Sequence, residues 1–302
     1  MKGIIKKFLR YVIGIIILII LISKVDLDLL KVIISSIQPL YLLPLVFFRF
    51  LEIVFASTNL KILFSAVRKI GFMDMLRYQI VNFVGSTILP LSASAIPVMY
   101  LLKKKHDINY GIFTSTFVLD KAITFFLTLT VMFFAFVKFY DIRTAGFVFL
   151  AGAAALLVLY MLFYLRATRK IVIRLVPERY LKHLSGITSH FRTMIRSHWR
   201  LILLNMLSTV AALIAGGLML MFAFKTLGTD VSLINTVLVS SIARLAVVFA
   251  ITPSGIGIRQ AIGVYLFTLV GVPLTISLAM YLLVLIVKHL LAISFSFTAK
   301  LS

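Results

Sequence analysis

The 302-residue chain is 62% hydrophobic and 13% charged, with a mean hydropathy of +1.13, a mixture that excludes an ordinary soluble globular domain. Its 31 Lys and Arg against nine Asp and Glu give a formal net charge of +22, but the cations cluster between apolar stretches. Anionic lipid headgroups suit that pattern better than nucleic acid, for which no binding motif is present.

The absence of cysteine excludes disulfides, thiolate metal sites and cysteine nucleophiles. In chain order, Met1 to Ser23 has a basic head and an apolar body without a small-residue cleavage site, and reads as a retained helix. Lys2, Lys6, Lys7 and Arg10 set the N-terminus in the cytoplasm. A first span over about Phe8 to Ser23 leads out, and a second, about Pro39 to Leu60, returns to Lys61, Arg68, Lys69 and Arg77. The next uncharged stretch, Tyr78 to Leu102, has basic residues at both ends, so it should enter and leave on one side. Asn82, Gly85, Ser86, Pro90, Ser92, Ser94 and Pro97 are expected to interrupt it, giving a re-entrant helical hairpin.

Ile108 to Val137 then leads out and Thr144 to Leu165 leads in. Arg166 to Arg200 carries nine Lys and Arg among apolar residues, the pattern of amphipathic helices lying on anionic lipid. Its histidines, His183, His190 and His198, lack the carboxylate or cysteine support of a metal site, so no metal or other cofactor is expected. Leu201 to Phe224 leads out again. Val231 to Val287 holds only Arg244 and Arg259 as charges and is divided at Pro253 to Gly257 and at Gly271-Val272-Pro273. It reads as a second hairpin, entered from outside, followed by a final span to Thr298. On this reading 21 Lys and Arg are cytoplasmic, five external and five embedded, a bias that supports the orientation.

The expected fold is therefore an all-α integral membrane domain over residues 1–302, with both termini inside. About six full transmembrane helices and two Pro/Gly-broken re-entrant hairpins make eight apolar segments. They form an inverted repeat, with halves at about 1–140 and 141–302, the second including the basic segment 166–200. Inverted repeats with broken helices are an architecture of transporters.

Ionisable residues inside a membrane need a partner or a wet cavity. Arg49 and Glu52, at i and i+3, are placed to pair. Asp120 and Lys121 point about 100° apart on a helix and should seek different partners, Asp120 taking Arg259 or Arg244; this is either a structural bridge between the halves or an arrangement that places Lys121 and Lys288 at a central cavity. At Thr252-Pro253-Ser254-Gly255-Ile256-Gly257-Ile258-Arg259, the proline stops a helix and the glycines free the backbone. A half-helix starting there with Ser254 as its cap would offer amides, together with the Arg259 guanidinium, to a phosphate or carboxylate. The residues expected to contact substrate are Ser254, Gly255, Gly257, Arg259, Asp120, Lys121 and Lys288. No nucleophile with a base and no P-loop is present, so no enzyme activity is expected.

The run from Thr252 to Gln260 resembles the Pro-Gly-Gly-hydrophobic-Gly-Val-Arg-Glu signature of the lysylphosphatidylglycerol synthase transmembrane region, the flippase-like domain family. Val81-Asn82 through Pro90 and Val118-Leu119-Asp120-Lys121 are similar to further family features. Ser254 and Gln260 stand where the family commonly has Gly and Glu, and Ser92, Ser94 and Ala95 replace its usual Arg, Gly and acidic residues. The resemblance implies lipid translocation, or a membrane module serving a lipid-modifying or glycosyl-transferring enzyme. The soluble aminoacyl-transferring domain of larger members is missing from these residues, so lysine transfer is not expected. The reading that follows is a multi-pass cell-membrane protein and lipid flippase-like transporter for anionic or phosphate-linked headgroups. The alternative is a non-catalytic subunit docking a cytosolic glycosyltransferase or lipid synthase. Membrane lipids are the expected partners, and a homo-oligomer fits either reading.

Overall fold

The computed structural model describes residues 37–88, 91–164, 187–248 and 257–299, with isolated positions at 19, 20, 23, 28 and 35. Among the described residues the chain is all helical. A 3-10 turn, Pro39–Tyr41, leads into α1, Leu42–Phe64. Then come α2, Phe72–Ile88, α3, Leu91–His106, α4, Tyr110–Phe139, and α5, Ile142–Tyr164. The short α6, Ile187–Ser197, precedes α7, Trp199–Thr226, α8, Leu233–Val248, α9, Ile258–Thr268, and α10, Leu274–Ala299. The first expected span, Phe8 to Ser23, lies almost entirely outside the described residues.

Five stretches are long and apolar enough to cross a membrane: Pro39–Phe64, Tyr110–Phe139, Ile142–Met161, Trp199–Thr226 and Leu274–Phe297. Their 20 to 30 residues rise about 30 to 45 Å, enough for a hydrocarbon core of about 30 Å. The shorter helices α2, α3, α8 and α9, of 17, 16, 16 and 11 residues, fall below that length and come in adjacent packed pairs, α2 with α3 and α8 with α9. Large apolar side chains such as Phe47, Phe134, Phe147, Leu150, Leu207 and Phe297 face outward, as they do where the surrounding medium is hydrocarbon.

The first pair is more continuously helical than the sequence suggests. Asn82, Gly85 and Ser86 lie within α2, and Ser92, Ser94 and Pro97 within α3; the interruption expected at Pro90 lies outside the described residues. Ser86 returns its hydroxyl to the Phe83 carbonyl at 2.7 Å, which satisfies the polar group inside the helix instead of ending it. Pro97 forfeits one backbone donor, a loss that membrane helices absorb through neighbouring groups.

The packing repeats itself. α1 lies against α7; α1 packs on α2 as α7 packs on α8; α4 touches α8 as α10 touches α2; α1 meets α4 as α7 meets α10. Exchanging α1–α4 for α7–α10 therefore reproduces these contacts. The central helices α1 and α7 run antiparallel, because the Gln38 amide before α1 bonds the Thr226 carbonyl at the end of α7 (2.8 Å), whereas Asn59, late in α1, meets Thr209 in the first half of α7. The largest apolar core gathers where the start of α1 meets the end of α7, with Leu45, Leu220, Phe224, Val239, Phe267 and Met280 buried together.

The basic segment also differs from expectation where it is described. Phe191 and Met194 of α6 are buried against Leu63, Leu119 and Ile123, and His190 Nε2 lies 3.1 Å from the Thr116 hydroxyl. The apolar face of α6 thus docks on protein, not on lipid, because α4 and the end of α1 offer a complementary apolar surface. Residues 165–186, which hold His183 and most of the segment's cations, lie outside the described residues.

Candidate functional site

Residues seven apart on a helix return to the same face. On α1 this aligns Glu52 with Asn59, and on α7 it aligns Thr209 with Gly216, so the α1–α7 seam carries one polar stripe through an apolar bundle. Two charged assemblies meet it.

At the first, Glu52 accepts from Arg49 through one carboxylate oxygen and from Arg244 Nη2 of α8 through the other, at 3.0 Å. The Glu52 side chain is 11% exposed, Arg49 15% and Arg244 32%. Gly216 makes the pair possible: a Cβ there would stand 2.7 Å from Glu52 Oε1 and 2.9 Å from Arg244 Nη2. Arg49 also sits over the Phe83 ring, 5.2 Å from its centroid, a favourable cation–π placement.

Two further cations belong to this cluster. Arg259, on the first turn of α9, lies within electrostatic reach of Glu52, Arg49, Arg244 and Tyr281. Lys288 of α10 lies within reach of Arg49 and Arg259. Ser277, Tyr281 and Lys288 share one face of α10 by their spacing. The Tyr281 hydroxyl lies against Gly263, one helical turn beyond Arg259. Arg49 Nε, Arg259 Nε, Ser277 Oγ and Tyr281 Oη are buried without a hydrogen-bond partner among the described residues, unusual for polar atoms taken out of water.

The helix carrying Arg259 begins differently from expectation. Gly257 is the N-cap, with a φ of +85° that favours glycine, and its amide donates to Gln260 Oε1 at 2.8 Å. Gln260 thus folds back on its own helix start as the N3 residue of a capping box does. The cap of the described helix is supplied at Gly257; Ser254, the expected cap, and Gly255 lie outside the described residues.

The second assembly lies about 10 Å along the seam at 1.5 Å per residue. Asp120 of α4 is 3% exposed and accepts from Asn205 Nδ2 at 3.2 Å and from Lys121 Nζ at 2.8 Å. Asn205 also donates to the Asn59 carbonyl at 3.1 Å, and Asn59 donates to the Thr209 hydroxyl at 3.0 Å. This corrects two expectations. Asp120 pairs with neither Arg259 nor Arg244, since Arg244 is held by Glu52. Asp120 and Lys121 pair with each other, because the long lysine stem curls back across the 100° between them while its head stays 57% exposed. Lys121 also lies over the Phe117 ring, 5.0 Å away, whereas Lys288 sits in the arginine cluster. The structure thus joins Arg259, Gly257 and Lys288 at one place, and Asp120 with Lys121 at another.

Sequence reasoning assigns Glu52, Arg49 and Arg244 little functional weight and passes over Tyr281 and Gly216. A signal exists for Tyr281 in the Ser277, Tyr281, Lys288 spacing. Arg244 is 192 residues from Glu52, and no local pattern announces that pairing. Among the described residues no group of three His, Cys, Asp or Glu could hold a metal ion.

Five apolar helices long enough to span a bilayer, enclosing charged side chains, define a multi-pass integral membrane protein. The chain belongs to the family described as the lysylphosphatidylglycerol synthase TM region, which matches residues 7–294. No curated protein and no solved structure matches it.

Proposed function

We propose that the protein is a flippase-like lipid transporter of the cell membrane, and that Arg49, Arg244, Arg259 and Lys288 around Glu52 hold an anionic or phosphate-linked headgroup. The observation that carries this reading is the surplus of cations over carboxylates in the cluster. An embedded cation costs roughly 2.5 to 3.5 kcal/mol at a helix centre on insertion scales. Folding alone gains nothing from a surplus of them, whereas binding of a visiting anion does. Amides at the start of α9 would add to the site, with Ser254 and Gly255 beyond the described residues.

The architecture supports the same reading. The exchange-symmetric packing and the antiparallel α1–α7 pair are what an inverted repeat produces, with α2–α3 and α8–α9 as its re-entrant pairs. With both termini in the cytoplasm, α2–α3 would open inward and α8–α9 outward, exposing the cluster to each side in turn while the lipid tails stay in the bilayer. A subunit that only docks a cytosolic glycosyltransferase or lipid synthase would have no use for the surplus charge.

Purified protein in vesicles with a fluorescent phosphatidylglycerol tests this. Arg259→Ala is expected to slow translocation at least about tenfold, a loss of about 1.4 kcal/mol. A variant as fast as wild type would remove Arg259 from the site, and wild-type protein no faster than empty vesicles, for this lipid and for a fluorescent phosphatidic acid alike, would end the transport reading.

A further inference from the structure

The valence of the cluster says which headgroup fits. Three arginines act on one carboxylate and Lys288 lies within reach of two of them, Arg49 and Arg259, an excess of three positive charges that is still two without Lys288. The chain has only nine acidic residues, and the other carboxylate on the seam, Asp120, is committed to Lys121 and Asn205. Among the described residues no further Asp or Glu acts on Glu52, Arg259 or Lys288. A phosphodiester brings one negative charge and would leave the cluster cationic.

Resting on the proposed headgroup site, we infer that its substrate is a lipid ending in a phosphomonoester or diphosphate, with two or more negative charges on terminal phosphate oxygens. Donor chemistry agrees with charge. A terminal phosphate presents three or more acceptor oxygens, against the two free oxygens of a diester. The unpartnered donors Arg49 Nε, Arg259 Nε and Tyr281 Oη come from α1, α9 and α10, so they approach from different helices, as a group with acceptors on several sides requires. Guanidinium forks suit such oxygens better than a lone ammonium does. Glu52 is the resident counter-ion: an arriving phosphate competes with it for Arg244, the most exposed of the three side chains in the ion-pair network.

Binding to detergent-purified protein, read by calorimetry, tests this with four ligands: geranylgeranyl diphosphate, geranylgeranyl monophosphate, dihexanoyl phosphatidylglycerol and inorganic pyrophosphate. The two prenyl phosphates are expected to bind at least about tenfold tighter than the phosphatidylglycerol. In Lys288→Gln, which removes one cation without opening an ion pair of Glu52, that ratio should fall by at least about threefold, with the melting temperature confirming a folded variant. Equal affinity for prenyl phosphates and phosphatidylglycerol would overturn the valence inference and leave the headgroup site standing. An unchanged ratio in Lys288→Gln would overturn it too. No binding of any lipid would overturn the site itself, and pyrophosphate binding as tightly as the diphosphate lipid would overturn the lipid assignment in favour of a site for soluble phosphate.

Discussion

Two largely buried carboxylates, Glu52 and Asp120, meet the α1–α7 seam about two helical turns apart and are satisfied in opposite ways. Asp120 has one lysine, whose head reaches solvent or headgroups, and one neutral amide, which in turn is anchored to α1. Its charge is balanced once and its geometry is shared among α1, α4 and α7, which makes it a fastening between the halves. Glu52 is claimed by two arginines, with a third arginine close by. The comparison teaches that burial of a charge does not mark function by itself. What separates the two places is whether the protein neutralises its own charge there.

The largest effect should come from Glu52→Gln, which leaves Arg49 and Arg244 facing each other in a low-dielectric setting. A loss of about 3 kcal/mol or more is expected, seen as a lower melting temperature in detergent, and recovery with a polyvalent anion in the buffer would sharpen the contrast with Asp120. Gly216→Ala comes next. Its Cβ would push the tips of Glu52 and Arg244 apart, at a cost of about 1 to 2 kcal/mol, with slower lipid movement in the vesicle assay.

Asp120→Asn keeps the shape and an acceptor for Asn205 while giving up the pair with exposed Lys121. Stability should fall by about 1 kcal/mol or less, with translocation within about twofold of wild type. A folded Asp120→Asn protein that moves no lipid would break the distinction between the two carboxylates.

The smallest effect concerns α6. Burial, and then the neighbouring His198, hold the His190 ring below the ordinary histidine value. Docked α6 therefore disfavours a proton that the undocked helix accepts. Docking is complete above the ordinary value of about 6.5 and weakens as pH falls below it. Hydrogen exchange of α6 between about pH 7.5 and about pH 5 should show protection lost on the acid side, and His190→Asn should flatten that dependence.

Much of the fold is legible because the bilayer imposes long uncharged runs: Thr144 to Leu165 and Leu201 to Phe224 fall within α5 and α7 but for one residue. Local pairing at i and i+3 also announces Arg49 with Glu52. Small polar residues mislead, since Asn82, Ser86 and Pro97 look like breakers by propensity yet lie within helices, Ser86 by returning its hydroxyl to the Phe83 carbonyl. The angular rule fails at Asp120 and Lys121 because it describes where Cβ atoms point, and a four-carbon stem can turn back. Arg244 is out of reach for a different reason: its partner is chosen by how α8 and α1 both pack on α7, which no window along the chain contains.

Gln260 closes the start of α9 with an uncharged group. A glutamate there could make the same bond to the Gly257 amide, but it would also place a permanent anion one residue from Arg259. With an amide in that position, the turn is completed while its pull on negative charge stays undiminished. The chain thus finishes this helix from its own side chains and keeps the full attraction available to a molecule that is not part of it.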